Sequence, residues 1–312
     1  MTVVRTFALP LLRRIALLVA LLAIVFVAVD LLPGSAARSA LGRDAGQGEL
    51  AAKEHELGLD RALPVQFWHW LTGVLTGDFG QTARGTSVGD LLADKFPQTL
   101  LLGGIALALT VTVSLALGCW WALRPTAFGA RLLQPASTVA VAVPEFVCGT
   151  LLILVFSLAT GWLPAVTITD RSGFPAGPEM LILPVLALAI PQIGWNARVV
   201  RSALLDVATA PHVENAVLEG LAPRTVLLRH MLPFAAPAIV AGYATSVGML
   251  FGGALVVETL FNYPGVGAVL AGSVADRDTA TVAAVVALTA IVIMMLLAVA
   301  DFVRTWASGG TR

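Results

Sequence analysis

Residues 214–233 read ENAVLEGLAPRTVLLRHMLP, and this stretch decides the fold. It is a polar, charged island between two long apolar segments, which predicts a short helix, a turn and a second helix projecting from a membrane. Pro211 starts the first helix at a position where its missing N–H costs little. The helix covers His212–Leu218, and Gly220 stops it in a left-handed conformation that suits glycine. Pro223 opens the next helix, carrying Arg224 and Arg229 toward the membrane surface. Upstream, residues 199–209 continue the preceding apolar helix outward with Arg201 and Asp206 exposed. A short helix held by a turn on each side transmits force, whereas a floppy loop dissipates it.

Composition supports a membrane setting. Of 312 residues, 58% are hydrophobic and only 12% charged, where a soluble domain carries about a quarter charged. Mean hydropathy is +0.88. A helix needs about 20 apolar residues to cross the hydrocarbon core. Six segments meet this: 15–32, a stretch within 97–123, 133–160, and stretches within 180–197, 234–257 and 279–300. The predicted fold is therefore all-α with six transmembrane helices. The first span follows Arg5, Arg13 and Arg14 and precedes Ser35-Ala36-Ala37, a pattern a secretory signal shares. Its apolar run is longer than the roughly 7–15 residues of a signal core, which favours an uncleaved anchor.

Charge orients the spans. With the N-terminus in the cytoplasm, eleven of the nineteen lysines and arginines fall in short inner segments, and fourteen of the nineteen acids fall outside. That asymmetry predicts both termini inside. The chain then divides into a cytoplasmic N-terminus (1–14), a first span (15–32), an extracytoplasmic segment (33–96), a core of five spans (97–303) containing the inner loop 201–232, and a cytoplasmic C-terminus (304–312).

The outer segment is too long for a simple connection. Residues 51–57, 65–75 and 88–96 read as helices between glycine-rich turns. Trp68 and Trp70 suit a helix lying at the membrane interface, or equally a solvated loop with two packed tryptophans. Pro184 and Pro191 are expected to interrupt the fourth span, because proline leaves a backbone carbonyl unpaired. Gly248-x-x-x-Gly252 in the fifth span would admit a close neighbour, though the pattern is common by chance.

Several chemistries have no support. The two lysines, Lys53 and Lys95, lie outside any phosphate-cradling glycine-rich loop. Cys119 and Cys148 sit in apolar runs, and the four histidines form no paired motif, so no metal site is expected. Neither a hydrolytic triad nor a nucleic-acid-binding feature is evident.

The loop pattern Glu214-x-Ala216-x-x-x-Gly220, with Leu232-Pro233 twelve and thirteen residues further on, resembles the conserved cytoplasmic loop of bacterial ABC-importer permeases. Asn215 and His230 depart from it, standing where alanine and a branched aliphatic are usual. Three other stretches are similar to the dipeptide, oligopeptide and nickel branch: residues 57–80, Gly161-Trp162-Leu163-Pro164, and residues 251–278 with Glu258, Phe261, Pro264, Gly265 and Gly267. Leu32-Pro33-Gly34 also fits, although the acidic residue expected soon after is missing. HVENAVLEGL at 212–221 replaces the basic residues common in the peptide branch, which bears on which ATPase it would match.

The resemblance implies a type I ABC importer permease fold. The ATPase-coupling loop would be His212, Val213, Glu214, Ala216, Gly220 and Leu221, supported by Leu232 and Pro233. Glu258, Phe261, Pro264, Gly265 and Gly267 would belong to an outer gate, against the plainer reading of Glu258 as a solvated helix end. Glu145, beside Pro144, is either an intramembrane functional acid or a wet side chain at a helix break. Arg224 and Arg229 are ATPase contacts or ordinary inside-positive anchors. The implied partners are a second homologous permease, two ATPase subunits that bind the ATP and Mg²⁺, and an extracytoplasmic binding protein; the chain itself would lie in the bacterial plasma membrane. The chain itself would be non-catalytic and hold no cofactor. Its implied substrate is a dipeptide or oligopeptide; the alternatives are a nickel or metal-chelate permease of the same family and an ion-coupled secondary carrier.

Overall fold

The computed structural model describes residues 2–42, 44–171 and 173–309; the C-terminal Arg312 that helped to orient the chain lies outside them. The described residues form helices joined by turns and loops, with two isolated β-bridges, Gln81 to Ser87 and Thr169 to Pro175. In chain order the helices are α1 (Thr2–Asp30), α2 (Ala36–Leu41), α3 (Gln47–Glu56), α4 (Leu63–Leu75), α5 (Val88–Leu123), α6 (Phe128–Ala142), α7 (Glu145–Leu152), α8 (Glu179–Ala208), α9 (Pro211–Leu218), α10 (Pro223–Thr225), α11 (Leu232–Leu260), α12 (Val266–Ala275) and α13 (Thr279–Gly309). Widened π-helical turns follow α7, over Ile153–Ala159, and α10, over Val226–Met231.

Among the described residues, five helical stretches are long and apolar enough to cross a membrane: Leu12–Asp30, Val88–Leu123, Glu179–Ala208, Pro223–Leu260 and Thr279–Val303. The predicted third span is not one straight helix. It breaks at Val143-Pro144, and its halves, Phe128–Ala142 and Glu145–Ala159, meet at a bend of 107°. Proline cannot donate to the preceding turn and crowds its carbonyl, so the apolar run folds back where the sequence reading drew it through. Counting this bent pair as one span gives six. The opposite correction applies to α8, which runs continuously through Pro184 and Pro191. Residues 88–96 are the first turns of α5, with Pro97 inside that helix.

The chain forms two compact units. One gathers the residues up to Gln98 with Gly265–Met294; the other holds Thr99–Pro264 and the last helix from Met295 on. In the first unit, Phe26 of α1 packs against Phe67 and Trp70 of α4, each with ring centroids 5.2 Å apart. The two tryptophans of α4 thus part company: Trp70 is buried and Trp68 faces out. The turn between α12 and α13 clips the outer segment together. Asp278 accepts hydrogen bonds from Ala83 N, Thr281 N and Thr281 Oγ1, so it caps α13 and holds a distant loop at once. Arg84 pairs with Asp276 at 3.2 Å, and Arg277 Nε donates to Pro33 O.

In the second unit, one core joins Leu102, Leu183, Leu188, Leu250, Val257 and Phe261 around α5, α8 and α11. Close approaches set its geometry. A Cβ on Gly118 of α5 would lie 2.6 Å from Val200 Cβ and 2.9 Å from Ala197 O of α8, so the two helices touch backbone to side chain there. Gly248 and Gly252, singled out in the sequence, have no neighbour within 4 Å of a Cβ position.

Candidate functional site

An isolated helix of eight residues is unstable in water, so α9 needs external support. It receives that support from below. Val213 and Ala216 are buried against Val200 and Leu204 of α8, Val226, Leu227 and Met231 of the π-turn, and Ala235 and Ile239 of α11. A polar clasp adds to this: His212 Nε2 lies 3.0 Å from His230 O, and the imidazole stacks on Phe234 with centroids 4.2 Å apart. The C-terminus closes through Leu221 N donating to Ala216 O, six residues spanning one wrapped turn, with Gly220 at φ +76°. This is a helix stop that needs the left-handed conformation at the glycine.

Leu232 and Pro233 stand where the π-turn passes into α11. Proline has no N–H for the preceding turn and its ring crowds the carbonyl four residues back. The widened turn over Val226–Met231 accommodates that crowding and presents the His230 carbonyl toward His212.

The opposite face of α9 is open. Glu214 is exposed, and so are three apolar side chains: Val217 at 59%, Leu218 at 84% and Leu221 at 37%. Leu228 joins them at 59%. Val217, Leu218 and Leu228 escaped the sequence reading, although the signal was there. With positions 213 and 216 facing in, an apolar pair at 217 and 218 has to face out. Arg224 and Arg229 are exposed beside this patch. Arg201 was expected to be exposed too, but its guanidinium stacks on Trp121 of α5 at 4.6 Å.

At the other end of α11, Glu258 is fully buried, which removes the solvated-helix-end reading. Phe261 and Tyr263 are 1% exposed. Tyr263 N donates to Glu258 O across Asn262, a non-glycine residue at φ +50°, and this wrapped turn ends the helix. Phe261 O accepts from Thr167 N, pinning the loop before α8. Burial, with the Glu258 carboxylate second, pushes the Tyr263 phenol well above its ordinary range. Pro264 is half-buried, and Gly265 and Gly267 are buried at the start of α12, ten apolar residues too short to cross a bilayer.

Glu145 is the first residue of α7 and partly exposed. Its carboxyl carbon lies 3.2 Å from where a Cβ on Gly253 of α11 would be, so the acid rests on a bare stretch of backbone. One turn further along α7, a Cβ on Gly149 would lie 3.0 Å from Phe261 Cε2, so the helix that begins at Glu145 packs on the turn that ends α11.

Comparison with known proteins agrees with this architecture. Residues 114–312 match the family described as binding-protein-dependent transport system inner membrane component, and residues 4–116 match its N-terminal membrane region. A probable peptide ABC transporter permease, y4tP of Sinorhizobium fredii, is 34% identical over 86% of this chain and 87% of its own. The glutathione transport system permease GsiC of Salmonella typhimurium is 34% identical over 89% of each. Among solved structures, an inward-facing MetNI methionine ABC transporter has 17% identity and a TM-score of 0.56, covering 70% of this chain and 96% of that one. An amino acid ABC transporter solved with histidines has 15% identity and a TM-score of 0.53, covering 69% and 94%. These two establish the fold alone.

The chain belongs to the binding-protein-dependent transport system inner membrane component family. It is a multi-pass permease component of an ABC importer, which excludes the ion-coupled carrier. As in that family, it works with an ATPase and a substrate-binding protein.

Proposed function

We propose that this permease carries short peptides, pairs with a second homologous permease and two ATPase subunits, and receives substrate from an extracytoplasmic binding protein. The observation that carries the coupling role is the two-faced character of α9, buried on one side and exposed on the other. Its inner face is locked to three helices, and its outer face offers exposed leucine and valine beside a free carboxylate. Exposed apolar clusters of this kind mark interaction sites. ATP and Mg²⁺ are bound by the partner subunits. ATPase closure pushes on His212, Val213, Glu214, Ala216, Gly220 and Leu221, and the shared core passes the displacement to α8 and α11. Alternating access follows from partner contacts that differ between the two states. Glu258, Phe261 and Pro264, with Gly265 and Gly267, act at the outer gate, and Glu145 is a polar point facing α11.

Both termini and the α9 loop lie in the cytoplasm of a bacterial cell whose plasma membrane holds the protein. A reporter fused near Ala222 is expected to read cytoplasm, and fusions near Lys53 and Arg277 the outside. An outside signal from Ala222 sinks the coupling role.

The peptide assignment rests on relatives named for peptide and for glutathione, itself a tripeptide. A nickel or chelate cargo has less behind it. Deleting the gene should stop growth on a peptide as sole source of a required amino acid, with rescue by the free amino acid. Normal peptide use combined with a fall in a nickel-dependent enzyme activity reverses the assignment.

A further inference from the structure

The apolar course of α8 carries no charge from Met180 to Ala197, and Arg198 and Arg201 are the first charges after it. They lie three residues apart, a spacing that places side chains on one helix face. Each guanidinium is stacked on an indole: Arg198 on Trp195 at 5.8 Å to the ring centroid, Arg201 on Trp121 at 4.6 Å. The close approach at Gly118 brings Trp121, one turn further along α5, against α8. Trp121 is 3% exposed, while Trp195 is 36% exposed.

The Nε atoms of both arginines are buried without a hydrogen-bond partner, and neither guanidinium enters an ion pair among the described residues. An indole face satisfies the flat side of a guanidinium but none of the N–H groups in its plane. A half-buried cation without a counter-charge is costly, and a planar fork of donors matches a phosphate or carboxylate. Asp206, the next acid along α8, is exposed and unpaired with either arginine.

The depth of the site selects the anion. It lies where an apolar span ends, beside a tryptophan exposed at the level where interfacial aromatics sit. We propose that Arg198 and Arg201, backed by Trp195 and Trp121, bind the phosphate of an anionic phospholipid headgroup. The site is at the membrane boundary of α8, on the side of the coupling helix. The lipid anchors the point where the spanning part of α8 becomes the lever leading to α9. This inference depends on membrane insertion but not on which leaflet α9 faces.

The test is native mass spectrometry of the intact transporter, purified with its partners and exchanged into phosphatidylglycerol or phosphatidylcholine. The wild type is expected to retain phosphatidylglycerol in a saturable manner. Arg198→Gln/Arg201→Gln should lose it by about tenfold or more, two cations being removed from a lipid-surface site. Arg224→Gln/Arg229→Gln should retain it. Inorganic phosphate should not displace the lipid; displacement would assign the site to free phosphate and overturn the headgroup reading. Loss of the ATPase from the double variant with unchanged lipid retention would assign the arginines to a protein contact instead. Should the double variant fail to assemble, phosphatidylglycerol titrated back onto wild-type protein in phosphatidylcholine decides the matter, and uptake that never saturates overturns the proposal.

Discussion

Leu218→Asp is expected to abolish co-purification of the ATPase while the permease still inserts and pairs with its sister subunit. At 84% exposure, Leu218 contributes nothing to the core of its own chain, and surface substitutions of that kind usually move stability by within about 0.5 kcal/mol. On the proposed interface it is the most protruding apolar side chain of α9, and burying an aspartate in its place removes a hot spot worth roughly 2 kcal/mol or more, about thirtyfold in affinity. Gly220→Val and Glu214→Lys should act in the same direction with smaller effects. At φ +76° a side chain strains the backbone by about 1–2 kcal/mol, and since nothing lies within 4 Å of the Cβ position, the strain is purely conformational. Substrate-stimulated ATP hydrolysis and vesicle uptake should fall together with ATPase binding. Full ATPase binding and wild-type uptake in all three variants would show that this loop is not the transmission.

The second large effect is on the fold. Gly118→Leu is expected to leave little folded protein, and Gly118→Ala to lower the melting temperature in detergent measurably. A Cβ there would sit 2.6 Å from Val200 Cβ and 2.9 Å from the Ala197 carbonyl oxygen. Neither is the far end of a flexible side chain, so α5 and α8 have to part. Overpacking of this sort costs about 1–3 kcal/mol, and separation would also spread the neighbouring core. Gly248→Leu and Gly252→Leu provide the contrast, because both positions are open in this chain. Equal melting temperatures for Gly118→Ala and the wild type would refute the close-contact argument.

The contrast between these glycines shows what the sequence could and could not reveal. Apolar runs carry their own signal, and so the spans were legible from composition. The stop at Gly220 was legible because only a few residues tolerate a left-handed turn. A break at Pro144 was one of the two readings of Glu145, but its 107° size was not legible, since the apolar run from Leu133 to Thr160 continues across it. Pro97, Pro184 and Pro191 pointed the other way: each reads as a boundary, yet each lies within a continuous helix. The stacking of Arg201 depends on Trp121, eighty residues earlier, and no local pattern encodes that contact. The small residues at 248 and 252 matched a packing pattern, but the true contacts lie at glycines with no pattern at all.

The helix α9 divides six of its eight residues between two tasks that do not overlap. Val213 and Ala216, with His212, answer to the membrane bundle; Glu214, Val217 and Leu218 answer to whatever lies beyond it. Address and anchorage are therefore written in different letters of one short word. On the proposed coupling role, exchanging the outward letters should re-address the permease to a different ATPase without disturbing the bundle. A graft of the whole loop into a foreign permease would fail unless the π-turn and the underside of α8 travel with it.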